Sequence, residues 1–284
     1  MRLAMITPSY APDMNRCSLL SQSIDRWVNP SIDHIVIVPG RDKAVFNGLP
    51  FRSKVITVES ILPRKVWQVP YTNRWWLTLC SLPVRGWIMQ QTVKLAAAGS
   101  LDYDVFVFVD SDVVIIKQVT SDLFIRHNKV RLYEVPGVAK TKMHMRWHRK
   151  AARLLGLNKC DYFGADYIGQ MVSWYGPNVR NMVKRIEERH NRNWFAVLCN
   201  TLHFAEYILY GVYVDFVARD ESCHFADDID LCHCSWYYKI ESPKDLEIFL
   251  DDLAEKHVAI LIQSNLNIEV GEYYDVLKDR GLVN

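Results

Sequence analysis

Val105-Phe-Val-Phe-Val-Asp110-Ser111-Asp112-Val113-Val-Ile-Ile116 is a stretch in which two carboxylates stand between two apolar runs. The apolar residues before Asp110 predict a buried β-strand. Asp is a poor strand former and costly to bury unpaired, so the pair predicts the strand's end, where α/β sheets bind ligands. A divalent Mg²⁺ or Mn²⁺ ion would explain both carboxylates, because these ions prefer oxygen ligands. The alternative is a turn in which the aspartates cap backbone amides.

Outward from this stretch, β-branched runs alternate with segments of helical pattern. Strands buried on both faces are predicted at 3–7, 35–38, 54–58 and 105–109. Helices are predicted at 15–27, at 84–98 with Gly99 closing the helix, at 177–190, at 194–210 ending at Gly211, and from 243 to about 257, with a last strand at 258–262. This order predicts an α/β fold with a mixed, mostly parallel sheet flanked by helices, in a single domain spanning 1–284.

Length, charge and cysteine content exclude several classes of protein. The chain has 284 residues, and its 34 Lys and Arg nearly balance its 32 Asp and Glu, so the net charge of +2 argues against a nucleic-acid partner. Seven cysteines without a C-x-x-C pair indicate reduced thiols rather than a disulfide framework or a four-thiolate zinc site. The N-terminus reaches a turn too early for a signal peptide, and no apolar run approaches the ~18 residues of a membrane span, so we expect a cytoplasmic protein.

An aromatic segment lies between Pro63 and Pro83. Its aromatic residues include Trp67, Tyr71, Trp75 and Trp76. Such a segment is more often a packed surface loop or a short helix than a platform for a ligand. We therefore expect a surface loop or short helix here.

The segment from Lys140 to Arg153 is basic and contains no acidic residue. Apolar side chains lie among or just after these cations: Trp147, Leu154 and Leu155. Interfacial helices use this combination, so we expect residues 140–155 to face an anionic partner, either phosphate groups of an acceptor or headgroups of the inner membrane. The alternative is a solvated helix face paired with the acidic stretch from Asp215 to Asp230.

The aspartate pair and its surroundings resemble those of metal-dependent glycosyltransferases with the GT-A fold. The matching motif is Phe108-Val-Asp110-Ser111-Asp112, an Asp-x-Asp after a hydrophobic strand. The strand and turn of Ile6-Thr7-Pro8-Ser9-Tyr10 also fit the family, and the helix with Gly86-Trp-Ile-Met-Gln-Gln-Thr-Val-Lys-Leu95 is similar to the corresponding helix of a bacterial group of polysaccharide glycosyltransferases. The resemblance implies a GT-A-like, Rossmann-like sheet with a nucleotide-binding half (1–116) and an acceptor-binding half (117–284).

The resemblance also implies a reaction and a set of site residues. A sugar would pass from a nucleotide-diphosphate donor, most commonly a UDP-sugar, to a hydroxyl of a glycan or lipid-linked acceptor, with Mn²⁺ or Mg²⁺ as cofactor. Asp110 and Asp112 would hold the metal against the donor diphosphate, and His233 would supply a third ligand. Residues expected to contact the donor are Thr7, Pro8, Ser9, Tyr10, Arg41, Gln91, Lys94, Asp110, Ser111 and Gln263.

The predicted sheet independently places two segments at a nucleotide pocket. Residues 7–10 and 39–42 come at the carboxyl ends of early strands, where a nucleotide pocket is expected, and Tyr10 could stack on the base.

His233 has alternative roles besides that of a third metal ligand, because it stands in Cys232-His233-Cys234. A structural zinc site would need further ligands from Cys223 and His224, and a histidine satisfied by hydrogen bonds is the other possibility.

Two carboxylates are candidates for catalysis. Glu206 stands in a predicted apolar helix, where a Glu is paired, protonated or exposed to a cavity. Inverting transfer needs a carboxylate to take the proton of the acceptor hydroxyl, and Glu206 is the expected base; the alternative is a salt bridge with an Arg or Lys. Asp166 is the second candidate, because Gly164 and Gly169 nearby would let a ligand approach, and its alternative is a cap or turn.

Two other functions fit the same residues. A nucleotidyltransferase also combines an α/β sheet with carboxylate-bound Mg²⁺. Such enzymes usually have a Gly-rich, basic phosphate loop after the first strand, and residues 7–16 contain no glycine. A noncatalytic sugar-binding or protein-binding module would use the acidic pair only as a turn. Metal-dependent binding of a nucleoside diphosphate would favour the glycosyltransferase.

Overall fold

The computed structural model describes residues 1–50, 52–70, 72, 74–137, 141–266 and 268–283. The strands are β1 Leu3–Pro8, β2 Asp33–Val38, β3 Ser53–Thr57, β4 Val66–Gln68, β5 Trp75–Thr78, β6 Val84–Arg85, β7 Val105–Phe108, β8 Val113–Ile115, β9 Ile125–Arg126, β10 Lys129–Tyr133, β11 Val135–Pro136, β12 Ala165–Asp166, β13 Val172–Tyr175, β14 His224–Asp227, β15 Cys232–Cys234 and β16 Ala259–Leu261. The α-helices are α1 Met14–Trp27, α2 Val58–Ile61, α3 Gly86–Ser100, α4 Lys142–Leu155, α5 Gly176–His190, α6 Trp194–Cys199, α7 Glu206–Tyr213, α8 Pro243–Asp251 and α9 Val270–Asp279.

The central sheet has the strand order β13-β7-β1-β2-β3. Strands β1, β2, β3 and β7 are parallel, and β13 is antiparallel to β7, so the predicted mixed, mostly parallel sheet is confirmed. Alternate side chains of β1 enter different cores: Ala4 and Ile6 on one face, Leu3 and Met5 on the other. Since β2 and β7 flank β1 on opposite sides, the sheet has a topological switch point between β1 and β7, where open α/β sheets bind ligands.

A smaller sheet of β15, β16 and β8 shares a core with the central sheet. The chain passes from β7 in the central sheet to β8 in the smaller one through Asp110-Ser111-Asp112. The backbone N–H of Val113 donates to the Asp110 carbonyl at 3.2 Å, so this segment is a tight turn. Helices α8 and α9 cover the far face of the smaller sheet. The aspartate pair therefore lies where two sheets meet.

One predicted strand, β3 at the edge of the central sheet, is less buried than expected. β3 was expected to be buried on both faces, yet most of its side chains are only half-buried, because β3 is the last strand of its sheet. Strands β1, β2 and β7 are buried as predicted. The run at 258–262 contains β16, which is also buried.

Two predicted helices have different ends. The helix predicted at 84–98 begins at Gly86, because Val84 and Arg85 form β6, and it continues through Gly99 to Ser100. Gly99 therefore does not close it; Leu101 caps the helix in an extended conformation. The helix that begins after Ser242 ends at Asp251 rather than near residue 257.

The predicted helix at 194–210 is two helices, α6 and α7. The Asn200 side chain donates to the Ala196 carbonyl at 2.7 Å, and His203 has a left-handed φ of 61°, so the chain turns between them. Glu206 is consequently the first residue of α7 rather than a mid-helix residue, and Gly211 lies inside α7 rather than at its end. The helices predicted at 15–27 and 177–190 are α1 and α5.

The basic segment forms α4, and its apolar face is used by the fold. Leu154 and Leu155 are buried in the core, where α4 packs against α5 and α7, so the expectation that they anchor the protein to a membrane is wrong. Arg149 pairs with Asp161 at 3.5 Å, not with the acidic stretch after residue 215. Lys140 lies outside the described residues.

Within the described ranges, no helix combines the length and the apolar character that crossing a bilayer requires.

Candidate functional site

A cleft opens where β1 and β7 end side by side. Ile6 pairs with Phe108 in the register of these strands, so the residues that follow each strand face one opening. The cleft has a volume of 1170 Å³, which suits a ligand of nucleotide size. Described polar and aromatic residues on its wall are Ser9, Tyr10, Asp13, Gln68, Thr72, Arg74, Trp75, Trp76, Arg85, Trp87, Gln90, Asp110, Ser111, Asp112, Gln263 and Ser264.

The structure brings part of the predicted site together in this cleft. The predicted residues on its wall are Pro8, Ser9, Tyr10, Pro39, Asp110, Ser111, Asp112 and Gln263. They lie at or just after the ends of β1, β2, β7 and β16, which meet at one edge of the two sheets. Their binding roles stay predictions.

Asp110 is held in place by Gln170, which the sequence did not single out. The Gln170 amide donates to Oδ2 of Asp110 at 2.7 Å, and its oxygen accepts from the Asp110 backbone N–H at 3.3 Å. Oδ1 of Asp110 is buried without a hydrogen-bond partner among the described residues, and the Lys94 amine lies 3.5 Å away. The carboxylate therefore has a defined orientation and retains acceptor capacity.

Asp112 lies on the cleft side of the turn. Its Oδ2 accepts from the backbone N–H of Ser264 at 3.1 Å, which ties the turn to the segment after β16. Burial, together with the nearby Asp110 carboxylate, raises the pKa of Asp112 to about 7. A raised pKa means that the protein leaves this negative charge poorly compensated.

Asp13 is a third cleft carboxylate that sequence reasoning missed. An Asp directly before a helix predicts an N-cap, but the Asp13 side chain makes no capping hydrogen bond to α1. Instead it accepts from the Ser111 hydroxyl at 3.4 Å, and burial raises its pKa. Only the fold, which places the start of α1 beside the turn after β7, reveals this proximity.

The charges on the cleft floor fit one divalent cation. On the cleft floor and directly beneath it, four carboxylates, those of Asp13, Asp110, Asp112 and Glu206, stand against two cations, Arg16 and Lys94. This set carries a net charge of −2 when all its members are ionised, and the cations Arg74 and Arg85 belong to the wall of the cleft instead. Asp110 and Asp112 are the residues that would hold a cation. No group of three or more His, Cys, Asp or Glu side chains in the described ranges has the geometry of a metal site, so substrate oxygens or water would complete the coordination.

His233 does not join the aspartate pair, contrary to the predicted third ligand. Its Nε2 is hydrogen-bonded to the Phe249 carbonyl at 2.8 Å, and its ring stacks on Phe249 with a centroid distance of 4.3 Å. Side chains alternate along β15, and that of His233 points toward α8 while its cysteine neighbours enter the opposite core. The alternative of a histidine satisfied by hydrogen bonds is the one that the structure supports.

Glu206, Gln91 and Lys94 form a buried cluster beneath the cleft floor. The Lys94 amine donates to Glu206 at 3.0 Å and to the Tyr207 hydroxyl at 2.9 Å. The Gln91 oxygen accepts from the Glu206 backbone N–H at 3.0 Å. Burial alone would lower the pKa of Lys94, but the Asp110, Tyr207 and Glu206 groups around its amine outweigh burial and raise that pKa well above its ordinary value.

This cluster corrects two predictions. Glu206 is in the salt bridge that was its alternative role, and it does not line the cleft, so the structure does not support it as a catalytic base. Gln91 and Lys94 do not line the cleft either and therefore do not contact a donor there. Lys94 instead links Glu206 to Asp110 from below.

Three more predicted residues lie away from the cleft. The Thr7 side chain is fully buried and its hydroxyl hydrogen-bonds Nε2 of His34 at 3.0 Å, because Thr7 lies on the same buried face of the sheet as Leu3 and Met5. Arg41 donates to backbone carbonyls of the segment after β4 and borders a separate hollow. Asp166 accepts from the Ile168 backbone N–H at 3.1 Å, which is the turn that was its alternative role.

The aromatic segment is part of the cleft, contrary to the expected surface loop or short helix. It forms an antiparallel sheet of β4, β5 and β6, from which Trp75 and Trp76 reach the cleft wall. Arg85 of β6 and Arg74, which directly precedes β5, add positive charge to that wall. Tyr71 lies outside the described residues. The sequence contained these tryptophans and arginines, but the direction in which they face depends on how the sheet of β4, β5 and β6 packs against the rest of the fold.

The fold and site thus define an α/β protein with an acidic floor and a basic, aromatic wall in one cleft. The chain belongs to DUF6492, a family of unknown function, whose model matches residues 3–279. A search of curated proteins found no match.

Proposed function

We propose that this protein is a GT-A-like glycosyltransferase that moves a sugar from a nucleoside-diphosphate donor, probed first as UDP, to a hydroxyl of a glycan or lipid-linked acceptor. One observation carries the proposal. The Asp-x-Asp turn and the end of β1 open into the same nucleotide-sized cleft at the sheet's switch point. Such a site binds nucleotides in many α/β proteins, and uncompensated carboxylates there call for a cation.

The two walls of the cleft suit the two parts of such a donor. Arg74 and Arg85 offer cations for phosphate oxygens. Tyr10, Trp75 and Trp76 offer aromatic faces for a base or a sugar ring. The Gln68 side-chain oxygen is buried in the wall without a hydrogen-bond partner among the described residues, which suits a ligand hydroxyl.

A divalent ion, Mn²⁺ or Mg²⁺, would sit at Asp110 and Asp112 and neutralise charge on the leaving diphosphate. This chain's own residues prepare that position. Gln170 fixes the orientation of Asp110, Ser264 fixes Asp112, and Lys94 limits the negative charge from beneath. With the Asp-x-Asp held rigidly, the donor would meet a preorganised site. A cytoplasmic location stays a prediction.

Calorimetric titration of UDP, with and without Mn²⁺, tests the proposal. We expect binding that requires Mn²⁺ in the wild type and is lost in Asp112→Asn. Asp228→Asn is the matched control, because Asp228 is exposed and does not line the cleft. Both variants should unfold cooperatively, as the wild type does.

Three results would contradict the proposal. UDP binding that is the same with and without Mn²⁺, or that persists in Asp112→Asn, would show that the aspartate pair does not bind a metal for the donor. Tight binding of a nucleoside triphosphate with release of pyrophosphate would indicate a nucleotidyltransferase. Absence of any nucleotide binding would leave the noncatalytic binding module.

A further inference from the structure

Two neighbouring loops expose leucines to solvent. Leu79 and Leu82, between β5 and β6, are 86% and 80% exposed, and Leu202, between α6 and α7, is 59% exposed. The loops touch: the Cys80 carbonyl accepts from the Asn200 amide at 3.0 Å and from Arg192 at 3.2 Å. The leucines thus project from one place on the surface. Apolar side chains this exposed and this close together indicate a contact surface.

Cations lie beside the loops that carry these leucines. Arg192 belongs to the loop contact itself. The rings of Trp87 in α3 and Trp147 in α4 lie 6.3 Å apart, which brings Arg85, just before α3, beside Arg146 and Lys150 of α4. These cations are also close to His203, the neighbour of Leu202, because burial and the positive charges of Arg146, Arg85 and Lys150 lower its pKa. We name the surface formed by Leu79, Leu82, Leu202, Arg85, Arg146, Lys150 and Arg192 the basic–apolar face.

The chain places no acidic residue in the segments that build this face. Residues 60–101, 135–160 and 189–205 contain no Asp or Glu, although the whole chain is nearly neutral. In the described part of the chain, Arg146 and Lys150 of α4 form no ion pair. Positive charge on this face is therefore concentrated and not compensated locally.

We propose that the basic–apolar face docks on an anionic lipid bilayer. The leucines would enter the boundary between headgroups and acyl chains, and the cations around them would contact lipid phosphates. A bilayer fits better than a protein partner, because the leucines project from loop tips instead of lining a groove. Arg85 belongs both to this face and to the cleft wall, so docking would hold the cleft mouth at the membrane. Under the proposed function, a lipid-linked acceptor would then reach the cleft.

Vesicle cosedimentation tests this docking without donor or metal, so its result does not depend on sugar transfer. The probes are vesicles of equal parts phosphatidylglycerol and phosphatidylcholine, and vesicles of phosphatidylcholine alone. The apolar test variant is Leu79→Ser with Leu82→Ser; its control is Tyr237→Ser with Ile248→Ser, which changes exposed apolar residues elsewhere. The charge test variant is Arg146→Gln with Lys150→Gln; its control is Lys184→Gln with Lys278→Gln, at exposed positions away from this face.

We expect the wild type to bind anionic vesicles and to bind less at high salt. The leucine variant should bind at least roughly tenfold more weakly, and the charge variant should lose affinity mainly at low salt. Both control pairs should bind like the wild type. Thermal unfolding at the wild-type temperature would confirm that the variants are folded.

Other results would overturn the docking proposal. These are no sedimentation with anionic vesicles at low salt, or equal binding by the leucine variant and its control. Self-association that is lost in the leucine variant, measured by light scattering without lipid, would assign the face to a second copy of the chain instead. Loss of UDP binding, measured separately, would count against the proposed function and not against membrane docking.

Discussion

The cleft floor and the cluster beneath it contain carboxylates in similar surroundings but with different charge partners. Glu206 is buried with the Lys94 amine at 3.0 Å, whereas Asp112 has a backbone N–H and a second carboxylate nearby. Burial and Asp110 raise the pKa of Asp112 to about 7. Burial of a carboxylate therefore does not by itself mark a functional group. A carboxylate whose charge the protein neutralises supports the fold, and one that it leaves uncompensated is available for a ligand.

The largest expected effect is on the compensated side. Lys94→Met would leave the buried Glu206 without its cation and remove the nearest cation from the half-buried Asp110, and we expect a loss of about 3–5 kcal/mol in the free energy of unfolding. Chemical denaturation measures it, with the exposed Lys184→Met as control. Adding Glu206→Gln should restore part of the loss, since one unpaired charge disappears. A Lys94→Met protein as stable as the wild type would show that this cation does not compensate the cluster.

Asp112→Asn should have the opposite sign in metal-free protein. The folded-state pKa of Asp112, about 7, is above its ordinary value of 3.8, so ionisation of Asp112 disfavours folding increasingly as pH rises between those values. The Asn variant cannot ionise. It should be more stable than the wild type above about pH 7, and this difference should vanish below pH 4.

Denaturation in EDTA across this pH range is the measurement. Mn²⁺ should reverse the order at pH 8 by stabilising only the wild type. A stability difference that does not change with pH would mean that Asp112 is compensated after all.

Asp13→Asn should have a moderate effect on metal binding. Asp13 adds negative charge beside the pair without standing in the Asp-x-Asp turn. Its loss should weaken Mn²⁺ binding about tenfold, because less negative charge attracts the cation. Calorimetry with Mn²⁺ and UDP gives the affinity. Complete loss of binding would make Asp13 a direct ligand, and no change would place its charge too far away to matter.

The smallest effect on the metal is expected at His233. His233→Asn removes the hydrogen bond to Phe249 and the ring stacking, so stability should fall by about 1 kcal/mol while the Mn²⁺ titration overlays that of the wild type. A clearly weaker Mn²⁺ affinity in a folded variant would restore His233 as a ligand.

The sequence by itself determined four of the five strands of the central sheet, all but β13, and the position of the aspartate pair. An apolar run such as 105–109 is a local sequence pattern that predicts a strand. Asp110 and Asp112 predict the end of that strand, because an unpaired carboxylate is costly to bury inside it. Strand ends also predicted which segments approach the cleft, since parallel strands share one edge.

Tertiary structure alone decided which charges pair. Lys94 and Glu206 are 112 residues apart, and Gln170 lies 60 residues from Asp110, so no local pattern records these contacts. The break between α6 and α7 moves Glu206 to a helix start, and alternation along β15 turns His233 away from the cleft. A carboxylate's role depends on the charge that folding brings to it, because Coulomb energies act through space and not along the chain.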